Sequence, residues 1–299
     1  MKSSFKFVEK KNFWLTISMS IILIGLSLMV MRFFQNQPVL NYGIDFLGGN
    51  TFHLKLNETA SIDTKTTTIA AIRTALTEFN LENSQIQFVN QDEVYIKTIA
   101  LEKNQTSQIL NSIRNTLGNF EELERDFIGP SIGKSLQKQA LLIIIFVSAA
   151  LLLYITLRFQ LSFGLAAIIA LLHDGLIIFS ATSIFKLEVN IAFIAALLTI
   201  LGYSINDTIV IFDRIRERVS NTTSDEVVEL TNISLNETLK RTLNTSVTTL
   251  LVIMTLIIFG GRTIQEFCII LAIGIITGTY SSLCIASPIL AKLYKKSPA

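Results

Sequence analysis

The 299-residue sequence lacks the residue patterns on which most enzymes depend. It has no glycine-rich loop that would cradle a phosphate, no residues spaced to hold a metal ion, and no nucleophile paired with a base. Histidine and cysteine occur only twice each. We therefore expect no enzymatic activity, no cofactor, no metal and no nucleic-acid partner.

The two cysteines, Cys268 and Cys284, both fall in the last apolar segment. If that segment is one helix, their separation is about 24 Å at about 1.5 Å of rise per residue. That distance is too long for an intrachain disulfide. The cysteines therefore do not indicate a redox compartment.

Charged residues are scarce, whereas half of the residues are hydrophobic and the mean hydropathy is +0.53. This composition is too apolar for a soluble protein and is typical of a polytopic membrane protein. The first apolar run is too long for a signal peptide and has no convincing cleavage site, so no cleavable signal peptide is expected. Six runs are long enough to span a bilayer: residues 13–34, 139–158, 161–185, 190–212, 243–260 and 264–291.

The lysines and arginines of the short loops predict the orientation of the spans. Basic residues precede the first span, separate the fourth from the fifth, and follow the last. The short loops on the other side hold only Lys186 and Arg262. Because cytoplasmic loops carry the excess of basic residues, residues 1–12 and 292–299 are predicted to be cytoplasmic. Residues 35–138 are then an external, periplasmic domain.

The external domain alternates between strand-like and helix-like patterns. Their order, β-α-β-β-α-β, predicts a ferredoxin-like α+β fold, and a turn is expected at Gln91-Asp92. The pattern indicates a binding or mechanical module rather than a catalytic one. The six predicted elements are Thr51–Leu56, Thr64–Asn80, Gln85–Asn90, Glu93–Ala100, Glu102–Phe120 and Leu123–Ile128.

The connector between the fourth and fifth spans, residues 213–241, is charged and partly helical in pattern. Its loose apolar face is typical of an amphipathic helix lying on the cytoplasmic membrane surface. A solvated helical connector explains the same pattern, and the sequence leaves both interpretations open.

Asp207 is the most informative residue of the sequence, because it lies inside the fourth span. About a turn and a half of apolar residues follow it before Asp213. An ionised carboxylate at the bilayer centre costs roughly 2.5–3.5 kcal/mol on insertion scales, so such a residue usually has a function. Tyr203 and Ser204 lie one turn earlier on the same face, and Asn206 precedes Asp207 directly. We predict that Asp207 carries protons; the alternative is a structural ion pair or hydrogen bond between helices.

His173 and Asp174 place a second carboxylate near the middle of the third span. A carboxylate on a neighbouring helix is a natural second member of a proton relay, and we predict that Asp174 joins Asp207 in one, with His173 in support. The alternative is structural, with His173 holding Asp174 in place.

A hydrophilic stripe opens the fifth span. Its members recur at intervals of three and four residues, so they share one face of a helix. Such a stripe is expected to face the bundle interior or a water-filled path rather than lipid. We predict that its arginine acts in the relay and that its amide and hydroxyls support it, although the arginine could also snorkel to the interface. The stripe consists of Arg241, Asn244, Thr245 and Thr248.

Glycines flank the external domain at both of its junctions with the spans. Gly48 and Gly49 lie at the first junction, and Gly129, Pro130 and Gly133 lie at the second. Glycine permits sharp turns and close backbone approach, and proline stiffens the chain. These residues are predicted to form paired hinges, although ordinary linkers have the same composition. Farther on, Gly274 and Gly278 form a G-xxx-G surface for packing against another helix.

An ordered set of motifs runs through the chain: residues 42–49 (YGIDFLGG), 128–133 (IGPSIG), 173–174 (HD), 202–217 (GYSINDTIVIFDRIRE) and 241–246 (RTLNTS). With six spans and a large first outer loop, this set resembles the SecF family. These proteins are subunits of the bacterial SecDF protein-export complex, within the resistance-nodulation-division superfamily. The resemblance covers essentially the whole chain.

The resemblance implies an obligate complex with SecD, a second six-span subunit, in the bacterial cytoplasmic (inner) membrane. It implies action with the SecYEG channel, SecA and YajC on translocating preproteins, in contact with membrane lipid. The family uses the proton-motive force to draw preproteins outward after the ATP-driven step. Its carboxylate on the fourth span and its arginine at the start of the fifth correspond to Asp207 and Arg241, and the rest of the relay is expected from SecD.

Two other classes of function are compatible with parts of the sequence. A small-molecule exporter of the same superfamily usually carries both six-span halves and two large outer domains, unlike this sequence. A structural scaffold for SecD would tolerate charge-neutral changes at Asp207 and Arg241. The sequence does not decide between protons and sodium as the coupling ion.

Overall fold

The computed structural model describes residues 5–56, 65–82, 84–88, 92–101, 103–219 and 226–294. The chain divides into a helical unit, Met1–Asn41 with Leu142–Ala299, and an α/β unit, Tyr42–Leu141. The elements in chain order are α1 (Lys11–Phe34), β1 (Asn41–Tyr42), α2 (Ile44–Leu47), β2 (Gly49–Leu56), α3 (Lys65–Thr77), β3 (Gln85–Phe88), β4 (Glu93–Thr98), α4 (Lys103–Leu117), β5 (Phe120–Ile128), α5 (Pro130–Arg158), α6 (Leu161–Phe185), β6 (Glu188–Val189), α7 (Ile191–Val219), α8 (Val227–Phe259), α9 (Arg262–Ser281), a π-helical turn (Ser282–Ala286) and α10 (Ser287–Leu293).

Six helical segments among the described residues are long and apolar enough to cross a membrane. They are α1, α5, α6, α7, α8 and the continuous segment Ile264–Leu293, which includes most of α9, the π-helical turn and α10. The prediction of six spans is confirmed. The last segment is the most buried of the six, with α9 packed against α6, α7 and α8. It is therefore the central helix of the unit.

Small residues allow α9 to approach α7 closely. A Cβ added at Gly274 would lie 2.2 Å from the Ile200 side chain, and one at Gly278 would lie 2.9 Å from the Ser204 Cβ. The predicted packing role of this glycine pair is confirmed, since any larger residue would force the two helices apart.

The connector between the fourth and fifth spans is divided between two long helices and does not form one separate helix in the described residues. Its first residues continue α7 to Val219, and its last residues begin α8 at Val227; residues 220–225 lie outside the described part. The two helix ends are joined by ion pairs from Arg214 and Arg218 to Glu237. Part of the apolar face of the connector packs within the unit, where Leu235 is fully inaccessible, whereas Val228 is exposed.

The N-terminal segment crosses this end of α8. Asn232 accepts a hydrogen bond from the Val8 backbone N–H (3.1 Å) and donates one to Glu9 Oε2 (2.8 Å). Asn236 exchanges two hydrogen bonds with the Phe5 backbone. These contacts fasten the segment before α1 to the start of α8.

The α/β unit is the predicted ferredoxin-like domain. Its four strands form an antiparallel sheet in the order β3-β4-β2-β5, and α3 packs with α4 over one face. The strand boundaries match the predicted ones within a few residues, although the end of the third predicted element and Gln91 lie outside the described residues. The core between sheet and helices includes Phe52, Leu54, Ile72, Leu76, Ile96, Ile109 and Ile113, all with 0% exposure.

Candidate functional site

Asp174 lies at the centre of a hydrogen-bond cluster that joins three helices. Its carboxylate is completely buried. Oδ2 accepts hydrogen bonds from Ser204 Oγ of α7 (2.5 Å) and from Ser281 Oγ of α9 (2.8 Å). Oδ1 lies 3.0 Å from Nδ1 of His173. The carboxyl group of Asp174 therefore has hydrogen-bond partners at both of its oxygens, as a buried polar group requires.

Asp207 lies one turn after Ser204 on α7 and is also buried, with 4% exposure. Its described contact is one long hydrogen bond from Thr279 Oγ1 of α9, at 3.5 Å. The Thr279 hydroxyl lies 2.6 Å from Ser246 Oγ of α8, so hydroxyls connect Asp207 to two neighbouring helices. The charge of Arg241 also acts on Asp207. Compared with Asp174, this carboxylate has far fewer donors.

The hydrophilic stripe of α8 does not face the interior formed by this chain's own helices, and its predicted place beside a water-filled path stays a prediction. Arg241, Asn244, Thr245 and Thr248 are all exposed. The buried face of α8 carries apolar residues and small hydroxyl residues, and the hydroxyls of Thr238 and Ser246 are satisfied by carbonyls of their own helix. That buried face includes Thr238, Thr242, Ser246 and Ile253.

The other predicted support residues divide between the two carboxylates and the surface. Ser204 contacts Asp174 rather than Asp207. Tyr203 is half-buried, with its hydroxyl 3.5 Å from Thr249 Oγ1. Asn206 is exposed on α7. The polar residues at membrane depth thus form an inner cluster around the carboxylates and an outer, uncovered group.

Five hydroxyl residues of the inner cluster were not selected from the sequence. Thr208 Oγ1 lies 2.9 Å from Ser282 Oγ, which itself donates to the Gly278 carbonyl (2.8 Å). A signal was available, since the last span contains an uninterrupted polar run, residues 279–282 (TYSS). The missed residues are Thr208, Ser246, Thr279, Ser281 and Ser282.

The two predicted hinge sites pack against each other within the α/β unit. Gly48 has φ of +73° and Gly49 has φ of +146°, a region that favours glycine. A Cβ at Gly133 would lie 2.9 Å from the Phe46 carbonyl oxygen, and one at Gly48 would lie 2.9 Å from the Pro130 Cα. Gly129 is open, with no atom within 4 Å of an added Cβ.

No three or more His, Cys, Asp or Glu side chains converge as a metal site would require, within the ranges that the structure describes. The cluster therefore consists of two carboxylates, one imidazole, one nearby guanidinium and a set of hydroxyls. Groups of this kind bind and transfer protons, or hold helices together.

The chain is similar to proteins of bacterial protein export. A family model described as "Protein export membrane protein SecD/SecF, C-terminal" matches residues 108–296. The "Protein translocase subunit SecF" of Sebaldella termitidis is 36% identical over 296 residues, covering 98% of this chain and 94% of the relative. The protein of the same name from Rickettsia bellii is 37% identical over 295 residues, covering 97% and 93%.

Two solved structures share the fold. The crystal structure of SecDF from Thermus thermophilus, described as a translocon-associated membrane protein, matches with a TM-score of 0.84 and 31% identity over 97% of this chain. A structure of SecDF in a super-membrane-facing form matches with a TM-score of 0.65 at the same identity over 98% of this chain. In both cases the chain spans 39% of the longer SecDF chain.

Proposed function

The chain belongs to the SecD/SecF family of protein-export membrane proteins, and on that premise we propose that it forms a complex with SecD that uses the proton-motive force to drive preprotein translocation. Asp207 takes up and releases the proton, and Arg241 responds to its charge. The chain is a non-catalytic subunit of this machine.

The observation that carries the proposal is the contrast around Asp207. The carboxylate is buried, yet its one described hydrogen bond is 3.5 Å long. A buried carboxylate with few donors is costly when ionised. It is therefore poised to bind a proton, and a driving force of about 2.3 kcal/mol per charge per 100 mV is available to move it.

The exposed stripe supports the partnership with SecD. A guanidinium and an amide at membrane depth, such as Arg241 and Asn244, are unfavourable against lipid and are normally covered by protein or water. SecD supplies that cover in the proposal, together with the remaining relay groups. The larger SecDF chain, of which this chain matches 39%, has ample length for a second set of helices.

The proposed setting is the bacterial inner membrane, with both termini cytoplasmic and the α/β unit periplasmic, as the basic loops predict. The complex acts there with SecYEG, SecA and YajC. The α/β unit takes part in drawing the preprotein outward, moving at the glycine sites around Gly48 and Gly133. Because these two sites pack on each other, they would move together.

The experiment uses the Asp207→Asn variant in complex with SecD, reconstituted with the translocase in proteoliposomes. It measures how preprotein export depends on the proton gradient. We expect export completion to lose its dependence on the gradient while SecD still co-purifies. Asp213→Asn is the matched control, because that aspartate lies on the same helix in exposed ion pairs with Arg158 and Arg216. Gradient-driven export that persists in Asp207→Asn and in Arg241→Met would favour a scaffold and overturn the proposal.

A further inference from the structure

Asp174 and Asp207 are bound in different ways, although both are buried carboxylates on neighbouring helices. Asp174 accepts from two hydroxyls at 2.5 and 2.8 Å and contacts an imidazole nitrogen at 3.0 Å. Asp207 accepts one hydrogen bond, of 3.5 Å, among the described residues. Both oxygens of Asp174 are thus engaged by groups of this chain in a completely buried place, whereas Asp207 has room for a further partner.

The imidazole of His173 gives Asp174 a third contact, within α6 itself. Its Nδ1 faces the carboxylate, and its Nε2 is buried without a hydrogen-bond partner in the described part of the chain. A proton on Nε2 would be a buried, unsatisfied donor. The geometry therefore favours a ring proton on Nδ1, where it is donated to Asp174.

The donors to Asp174 are placed beside the groups that surround Asp207. Ser204 lies three residues before Asp207 on α7, and Ser281 lies two residues after Thr279 on α9. Thr279 is the residue that donates to Asp207. By holding Ser204 and Ser281 together, Asp174 fixes the register between the helix that carries Asp207 and the helix that carries its donor.

The helix geometry of the last span changes next to this fixed point. The chain changes to a π-helical turn at Ser282, directly after Ser281, and Ser287 Oγ donates to the Ser282 carbonyl five residues earlier. π-Helical turns interrupt the regular α-helical hydrogen-bond pattern and are frequent at functional sites. Without the bond to Asp174, the hydroxyls before this turn would have no cross-helix anchor to α6.

We propose that Asp174 is a positioning residue: it pins α7 and α9 to α6 through Ser204 and Ser281, and it thereby places Asp207 against Thr279 without itself carrying protons. This inference rests on the proposed function of Asp207. It assigns roles to Ser204 and Ser281 as partners of the pin.

The hydrogen bonding of Asp174 to α7 is tested first, by a double-mutant cycle. The measurement is thermal unfolding of the full chain with SecD in detergent. Asp174→Asn and Ser204→Ala are each expected to lower Tm by several degrees, and the double variant is expected to be little worse than Asp174→Asn alone, because the two residues share one interaction. Fully additive losses would overturn the pin. Thr182→Val is the control, since the hydroxyl of this buried threonine of α6 donates to the Ile178 carbonyl of its own helix (2.8 Å).

The positioning role is tested by the pH profile of gradient-driven export in proteoliposomes. If Asp174 places Asp207, then Asp174→Asn and the milder Ser281→Ala will retain gradient dependence, but their pH of half-maximal rate will move by about half a unit or more. Loss of gradient dependence in Asp174→Asn, as in Asp207→Asn, would show a proton carrier and overturn the proposal. An unchanged pH profile with a lowered Tm would show a purely structural residue and also overturn it.

If Asp207→Asn keeps its gradient dependence, the proposed function and the positioning role of Asp174 fail together. The double-mutant cycle on thermal unfolding still tests the hydrogen bonding of Asp174 in that case.

Discussion

Gly278 of α9 lies directly against Ser204 of α7, since a Cβ added at Gly278 would come within 2.9 Å of the Ser204 Cβ. The same serine donates to Asp174 at 2.5 Å. Close packing of two helices and hydrogen bonding of a buried carboxylate therefore meet at one residue. A larger residue at Gly278 would move Ser204 and disturb both.

Replacement of the neighbouring glycine tests this packing. Gly274→Ala is expected to destabilise the helical unit by about 1–3 kcal/mol, because the added methyl group overlaps the Ile200 side chain. Ile200→Ala in the same chain should recover much of the loss. The measurement is thermal unfolding in detergent, with Gly175→Ala as control, since nothing lies within 4 Å of a Cβ there. Equal effects of Gly274→Ala and Gly175→Ala would contradict the packing.

Changes in the exposed stripe should affect assembly with SecD without affecting the stability of the chain itself. Asn244→Leu is expected to leave the Tm of the isolated chain unchanged, because the side chain is exposed, and to lower the yield of co-purified SecD. Val247→Ala, at an exposed apolar position of the same helix, is the control and should change neither quantity. Normal recovery of SecD with Asn244→Leu would place the interface elsewhere.

The N-terminal segment should be released by a change on α8. Asn232→Ala removes the acceptor of the buried Val8 N–H, at a cost of about 1–3 kcal/mol. Limited proteolysis should then cleave before α1 more rapidly. Asn236→Ala removes comparable hydrogen bonds in an exposed place, where water replaces them, so its effect should be smaller. A larger effect at Asn236 would contradict this ranking.

Gly129 and Gly133 of the second junction form a matched pair, one in open space and one in close contact. Gly133→Ala is expected to increase hydrogen exchange around residues 44–49, because its methyl group would meet the Phe46 carbonyl oxygen at 2.9 Å. Gly129→Ala, where space is open, should leave exchange unchanged. If both variants exchange alike, the two junctions do not depend on close contact.

Shortening a side chain of the α/β unit should cost more stability where that side chain is buried than where it is exposed. Leu54→Ala, at a completely buried position of β2, is expected to destabilise the unit by about 2–5 kcal/mol. Leu123→Ala on β5, where the side chain is 42% exposed, should stay within about 0.5 kcal/mol. Hydrogen exchange of residues 42–141 in the full chain measures both, and similar losses would contradict the assigned core.

Periodic patterns in the sequence predicted the elements of both units. Apolar runs of about twenty residues leave no alternative to spanning helices, and α1 and α6 lie within a few residues of the predicted spans. In the α/β unit, alternating residues such as Phe52 and Leu54 fixed both the strand and its buried face. These features depend on neighbours along the chain, so the sequence contains them directly.

Which polar residues meet was decided only by the tertiary structure. Ser204 and Asp207 lie on one turn of α7, yet Ser204 contacts Asp174 of α6, and Asp207 contacts Thr279 of α9. The stripe beginning at Arg241 has helical spacing, but the described residues leave it exposed. Spacing determines which residues share a helix face, whereas the partner of that face depends on how helices distant in sequence pack. The sequence by itself therefore determined that the chain carries carboxylates in its spans. Packing decided that Asp174 has hydrogen-bond partners at both oxygens, whereas Asp207 accepts one long hydrogen bond.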